Sequence, residues 1–66
     1  MKRISIDNGN TFVTAGEAIE NVGMDVIEHY MDHEISELVI KKYACDTDEE
    51  FVEKYLENAV EDLIIG

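Results

Sequence analysis

The spacing of apolar positions changes along the chain, and each change marks an element. Near the N-terminus Ile4 and Ile6 alternate with Arg3 and Ser5, which is the period of a half-buried strand. Asn8-Gly9 follows, a hairpin turn signal because both residues tolerate positive φ. Thr11, Phe12, Val13 and Thr14 are strand formers. Residues 2–14 therefore read as a β-hairpin. A two-residue turn sets Ile4 opposite Val13 and Ile6 opposite Thr11. A three-residue loop with a glycine bulge instead brings Phe12 beside Ile6. The two registers turn opposite faces of the second strand inward.

Beyond the hairpin the period becomes helical. Thr14 and Glu17 have capping-box spacing ahead of Ala18, Ile19 and Val22. Gly23 is the expected stop. Asp25 and Glu28 repeat the box ahead of Val26, Ile27, Tyr30 and Met31. A single helix over 15–33 is the alternative, at a cost of about 1 kcal/mol for its interior glycine. Residues 35–45 fit a helix through Ile35, Leu38, Val39 and Lys42. Their β-branched content also fits a strand over 38–43. Helix signals on both sides favour the helix. Over 46–65 the pattern is clearest. Thr47 and Glu50 form another box, and Asp48 and Glu49 load the first turn with negative charge. Phe51, Val52, Tyr55, Leu56, Ala59 and Leu63 then make one apolar face. Leu63-Ile64-Ile65 departs from that period and suggests a short strand laid against the hairpin, whose two strands alone would be marginal.

The expected architecture is a single α+β domain over residues 1–66, with an N-terminal β-hairpin packed on three to four short helices and a short C-terminal strand. The expected core is Ile4, Ile6, Val13, Ile19, Val22, Val26, Ile27, Leu38, Phe51, Val52, Tyr55, Leu56, Ala59 and Leu63. A 66-residue chain is marginal for one core. The lone cysteine, Cys45, cannot close an internal disulfide, so the chain must rely on close packing or on a homodimer. The apolar fraction of 45% is that of an ordinary folded domain.

Charge changes this picture. Sixteen acids stand against five bases, for a formal net charge of −11. That balance disfavours direct binding to nucleic acid or to an anionic membrane. No apolar run is long enough for a membrane span. The basic pair at Lys2 and Arg3 has no apolar stretch behind it, so no signal peptide is expected. With the free thiol, this makes the cytoplasm the expected location.

Candidate chemistry is sparse. His29 and His33 share a helix face if residues 25–33 are helical, and two histidines so spaced can hold a transition metal. Glu28, Asp32 and Glu34 stand near them. Tyr30 follows the first histidine where a zinc protease carries its glutamate, so the plain expectation is two surface histidines. Cys45 reads as a small half-buried residue. Asp7, Asn8, Gly9 and Asn10 resemble a calcium loop only at their start, since no bidentate glutamate and no flanking helices complete one. The tyrosines 30, 43 and 55 suit the edge of a core, or an interface. No nucleophile–base set and no phosphate loop is visible, so neither an enzyme nor a cofactor is expected. The sharpest feature is a row of carboxylates, Glu50, Glu53, Glu57 and Glu61, opposite the apolar face of the last helix. Its steps of about 4.5–6 Å approach the spacing of phosphates along a strand. A folded acidic domain with such a row can occupy the basic groove of a DNA-binding protein.

Residues 23–32 (Gly-Met-Asp-Val-Ile-Glu-His-Tyr-Met-Asp), 45–51 (Cys-Asp-Thr-Asp-Glu-Glu-Phe), 55–57 (Tyr-Leu-Glu) and the ending 62–66 (Asp-Leu-Ile-Ile-Gly) carry a resemblance. The chain resembles small uncharacterised acidic proteins of conjugative and phage-like mobile elements in gut Firmicutes. That resemblance implies a mobile-element accessory protein and assigns a role to no residue. The functional expectation is therefore a non-enzymatic acidic protein-interaction module, in its most concrete form a nucleic-acid-mimicking inhibitor or modulator of a DNA-binding protein. Its partner would be a protein with a basic surface. The alternative is a homo-oligomeric structural or accessory protein without mimicry, in which residues 63–65 and the tyrosines complete an apolar face with a second copy.

Overall fold

The computed structural model describes residues 2–66. Its elements run β1 (Ile4–Ser5), α1 (Ala15–Val22), α2 (Met24–Tyr30), α3 (His33–Tyr43), α4 (Asp48–Asn58) and β2 (Leu63–Ile64). The fold is α+β as expected, but its sheet is not a hairpin. β1 pairs in parallel with β2, Ile4 opposite Leu63 and Ser5 opposite Ile64. Leu63 N–H donates to the Arg3 carbonyl, and Ile65 N–H donates to the Ser5 carbonyl, both at 2.9 Å. The C-terminal strand suggested by Leu63-Ile64-Ile65 is present, and it is the principal partner of β1.

Of the expected hairpin only one antiparallel bridge forms, Ile4 with Val13, through Val13 N–H to the Ile4 carbonyl at 2.8 Å. This pair belongs to the two-residue register. The turn itself is built: Asn8 and Gly9 have φ of 59° and 88°, and Asn10 N–H reaches the Asp7 carbonyl at 3.3 Å. The ladder fails between turn and bridge because side chains take its hydrogen bonds. The Asp7 carboxylate accepts from Thr11 N–H at 2.8 Å and from the Thr11 hydroxyl at 2.6 Å. The buried Ser5 hydroxyl accepts from Gly9 N–H and donates to Asp7, each at 2.8 Å. Short polar side chains here compete with the strand ladder for the backbone.

The helix starts follow their caps, with one exception. Thr14 Oγ1 accepts from Glu17 N–H at 3.2 Å and Thr47 Oγ1 from Glu50 N–H at 3.1 Å. Glu50 itself reaches back to Asp46 N–H at 3.4 Å, one residue upstream of the cap. The exception is the box expected at Asp25. α2 starts at Met24 behind Gly23, with no side-chain cap. Gly23 does two jobs at φ 88°: its N–H closes α1 on the Ile19 carbonyl at 2.9 Å, and its carbonyl accepts from Ile27 N–H at 3.3 Å. Only glycine adopts this conformation at little cost, so the chain breaks here instead of continuing as one helix.

A second break separates α2 from α3. Met31 and Asp32 are extended, and the Asp32 carboxylate caps α3 through Glu34 N–H at 2.9 Å. The Asp32 N–H, which would otherwise continue the helix, donates to the Tyr55 hydroxyl on α4 at 2.8 Å. Residues 33–43 are helical, as the flanking signals favoured.

The core gathers Ile4, Ala15, Ala18, Ile27, Met31, Val39, Val52, Tyr55, Leu56, Leu63 and Ile65. Ile6, Val13, Ile19, Val22, Phe51 and Ala59 pack against it half-buried. Two expected members lie outside: Val26 is 39% and Leu38 61% exposed. In α2 only Ile27 of the expected pair faces inward, and in α3 Val39, one step beyond Leu38, faces inward instead. One residue is about 100° of helix rotation, enough to exchange a buried position for a wet one. Ala15, Ala18, Met31, Val39 and Ile65 are core residues absent from the expected core, although Ala18, Met31 and Val39 lie on the apolar faces of the pattern.

Two predictions follow from these contacts. Tyr55→Phe keeps the ring in the core but leaves the Asp32 N–H without its acceptor. It should lower unfolding free energy by about 1–2 kcal/mol, read as a lower urea midpoint at unchanged slope. The second concerns Asp7, whose hydrogen bonds from the Thr11 hydroxyl, the Thr11 N–H and the Ser5 hydroxyl hold its carboxyl below its ordinary value of 3.8. A depressed folded value contributes stability above the unfolded value, and this is lost as pH falls through the folded one. The difference in thermal midpoint between the native chain and Asp7→Asn should therefore be largest at neutral pH. It should shrink once pH drops below the ordinary carboxylate value. A difference that does not change with pH would remove Asp7 from the account.

Candidate functional site

The row of carboxylates on the last helix is only partly realised. α4 ends at Asn58, so Glu50, Glu53 and Glu57 lie on it, and Glu61 lies beyond it in the segment leading to β2. The row is also not purely acidic. Lys54, four residues after Glu50 and so on the same side of the helix, pairs with Glu57 at 3.5 Å. Glu50 is half-buried, whereas Glu53, Glu57 and Glu61 are exposed.

The fold brings other carboxylates to α4 in compensation. α1 packs on α4. The Glu49 carboxylate lies against Gly16 in the first turn of α1, in space that a Cβ at residue 16 would occupy. Glu17 of α1 and Glu53 of α4 line one cavity of about 430 Å³, together with Lys2 and Arg3. Glu17, Glu49 and Glu53 thus bring carboxylates of two helices near one another, with Lys2 and Arg3 beside Glu17 and Glu53. Sequence reasoning missed Glu17 and Glu49 as surface partners. The signal available was the pair of Thr-x-x-Glu boxes, each loading a first turn with acid, but spacing along the chain does not say that the two helix starts meet.

The bases do little to neutralise these acids. The Arg3 guanidinium sits 4.0 Å from the centre of the Phe12 ring. Lys42 and Lys54 lie 5.9 and 5.2 Å from that of Tyr43. Such contacts favour the cation by the ring quadrupole; Arg3 and Lys42 make no ion pair within 4 Å with the described residues, whereas Lys54 also pairs with Glu57. Among the described residues, Lys54–Glu57 is the one ion pair within 4 Å. All sixteen acids are exposed or half-exposed.

His29 and His33 do not share a helix face. His29 lies in the last turn of α2, edge-on to Tyr30, and His33 opens α3 after the chain has turned at Met31 and Asp32. Among the described residues no group of three or more His, Cys, Asp and Glu side chains could hold a metal ion. Cys45 is half-buried between α3 and α4. Among the described residues no helix is long and apolar enough to cross a membrane.

The chain matches no family model, no curated protein and no solved structure.

Proposed function

We propose that the protein is a non-enzymatic acidic interaction module that docks on the basic surface of a protein partner. The observation that carries this reading is the imbalance of charge at the surface: sixteen acids, all exposed or half-exposed, face five bases, of which three lie against aromatic rings and one, Lys54, pairs with Glu57. An excess of unpaired negative charge on a folded surface steers association with a basic partner and selects against an acidic one. Glu17, Glu49, Glu53 and Glu57 form the contact surface, with Glu50 at its edge. A groove built to hold nucleic acid is the most concrete basic surface of this kind, and the helical rise from Glu53 to Glu57 suits it. Glu61 stands apart from this surface. The resemblance to mobile-element proteins supplies the setting, a cytoplasmic accessory protein acting on a component of its host.

The test is a tagged pull-down from a Firmicute lysate, with retained proteins identified by mass spectrometry. Nucleic-acid-binding proteins should be retained at low salt and released at high salt, since screening weakens exposed charge contacts. Glu53→Lys with Glu57→Lys, checked for native helix content by circular dichroism, should cut their recovery on the order of tenfold. Undiminished recovery by the folded double variant would refute the reading.

A further inference from the structure

A second surface lies beside β2. A cavity of about 380 Å³ opens between the α2–α3 corner, the end of α4 and β2. Met31, Tyr55 and Leu63 line it as buried residues, and Tyr30, Val60 and Ile64 line it as exposed ones. Val60 is 81% exposed, an unusual position for a branched apolar side chain. Three carboxylates also line the cavity, those of Asp32, Glu61 and Asp62, and no lysine, arginine or histidine does. Asp32 and Asp62 each engage one oxygen in the fold, accepting from Glu34 N–H and Arg3 N–H. Each keeps a second oxygen.

The strand beside this cavity has an open edge. β2 meets β1 through the amides of Leu63 and Ile65. Alternate residues of a strand point their backbone groups to opposite edges, so the N–H and carbonyl of Ile64 face away from β1. An open edge beside a hollow takes an extended segment by strand addition, with backbone bonds giving affinity and alternate side chains entering the hollow. The charge of the rim decides the rest of the occupant's chemistry. A second copy would bring its own acids to Glu61 and Asp62, with a net charge of −11 on each chain, whereas lysine or arginine would pair with them.

We propose that the open edge of β2 and the adjoining hollow, part apolar and part acidic, bind an extended segment of a partner protein in which apolar residues alternate with lysine or arginine. This rests on the reading of the protein as an acidic module with a basic partner, and it adds a contact site apart from the α1–α4 carboxylates. The occupant lies along β2, pairs with the Ile64 backbone, places apolar side chains over Tyr55 and Leu63, and sets its cations against Asp32, Glu61 and Asp62.

The probe is a short synthetic peptide alternating lysine with valine, set against one alternating glutamate with valine. Calorimetry should show binding of the lysine peptide alone, weaker at high salt. Amide shifts on NMR titration should centre on Ile64 and Val60. Val60→Lys with Glu61→Lys, at positions too exposed to unfold the chain, should weaken binding on the order of tenfold, and Glu53→Lys with Glu57→Lys less than about twofold. Equal binding of the glutamate peptide would overturn the proposal, as would affinity unchanged by the first double variant. Sedimentation showing a dimer that Val60→Lys dissociates would overturn it in favour of a second copy. Loss of peptide binding only in the Glu53/Glu57 variant would overturn it and leave the acidic-module reading standing. Intact peptide binding with undiminished lysate recovery by that variant would refute the α1–α4 surface instead.

Discussion

The hydrogen bond from Asp32 N–H to the Tyr55 hydroxyl ties the helical part of the molecule together. It spans 23 positions of sequence and joins the corner between α2 and α3 to the middle of α4. An N–H taken by a partner on another element cannot continue its own helix, so the bond ends one helix and, with the Asp32 carboxylate as cap, begins the next. Met31, extended at this corner, is turned into the core at 5% exposure. Without the break, α2 and α3 would run on as one rod. α3 could not then pack on α4 while α2 packs on α1.

The charge of the chain is accommodated by where the acids fall. Glu17, Glu34 and the run Asp48, Glu49 and Glu50 occupy the first turns of α1, α3 and α4, and Lys41 and Lys42 the last turn of α3. Each of these placements suits the helix dipole. The Glu49 side chain extends this to a neighbour, since it lies against the first turn of α1. A carboxylate stabilised locally in this way still presents its charge to whatever approaches the surface, so acids that help the helices form also remain available to a partner.

Much of this was legible in the sequence. Thr14 and Thr47 announced two helix starts, Gly23 a stop, Asn8-Gly9 a turn, and residues 63–65 a strand, because each is a local preference written in one to four residues. What was not legible depended on distant partners. The hairpin ladder lost to Asp7 and Ser5, whose side chains captured the turn's own amides, while β2 paired on the other edge of β1. The exposure of Val26 beside the buried Ile27, and the choice of Val39 over Leu38, reflect helix rotations set by the surfaces that α2 and α3 pack on. The row from Glu50 to Glu61 assumed that α4 runs on past Asn58, but the chain leaves the helix to reach β1. The pairing of His29 with His33 failed at the corner that Tyr55 holds.

The parallel pairing of β1 and β2 also determines how the fold bears load. Chain enters β1 at one end of the pair and leaves β2 at the other. Tension applied across the domain therefore pulls the two strands lengthwise past each other. The bonds from Leu63 and Ile65 to β1, and from Asn8 N–H to the Ile65 carbonyl, are then strained together, whereas an antiparallel hairpin held at its open end would unzip one bond at a time. All four helices lie between the two strands in sequence, so this small clamp shields the helical core from force until it slips.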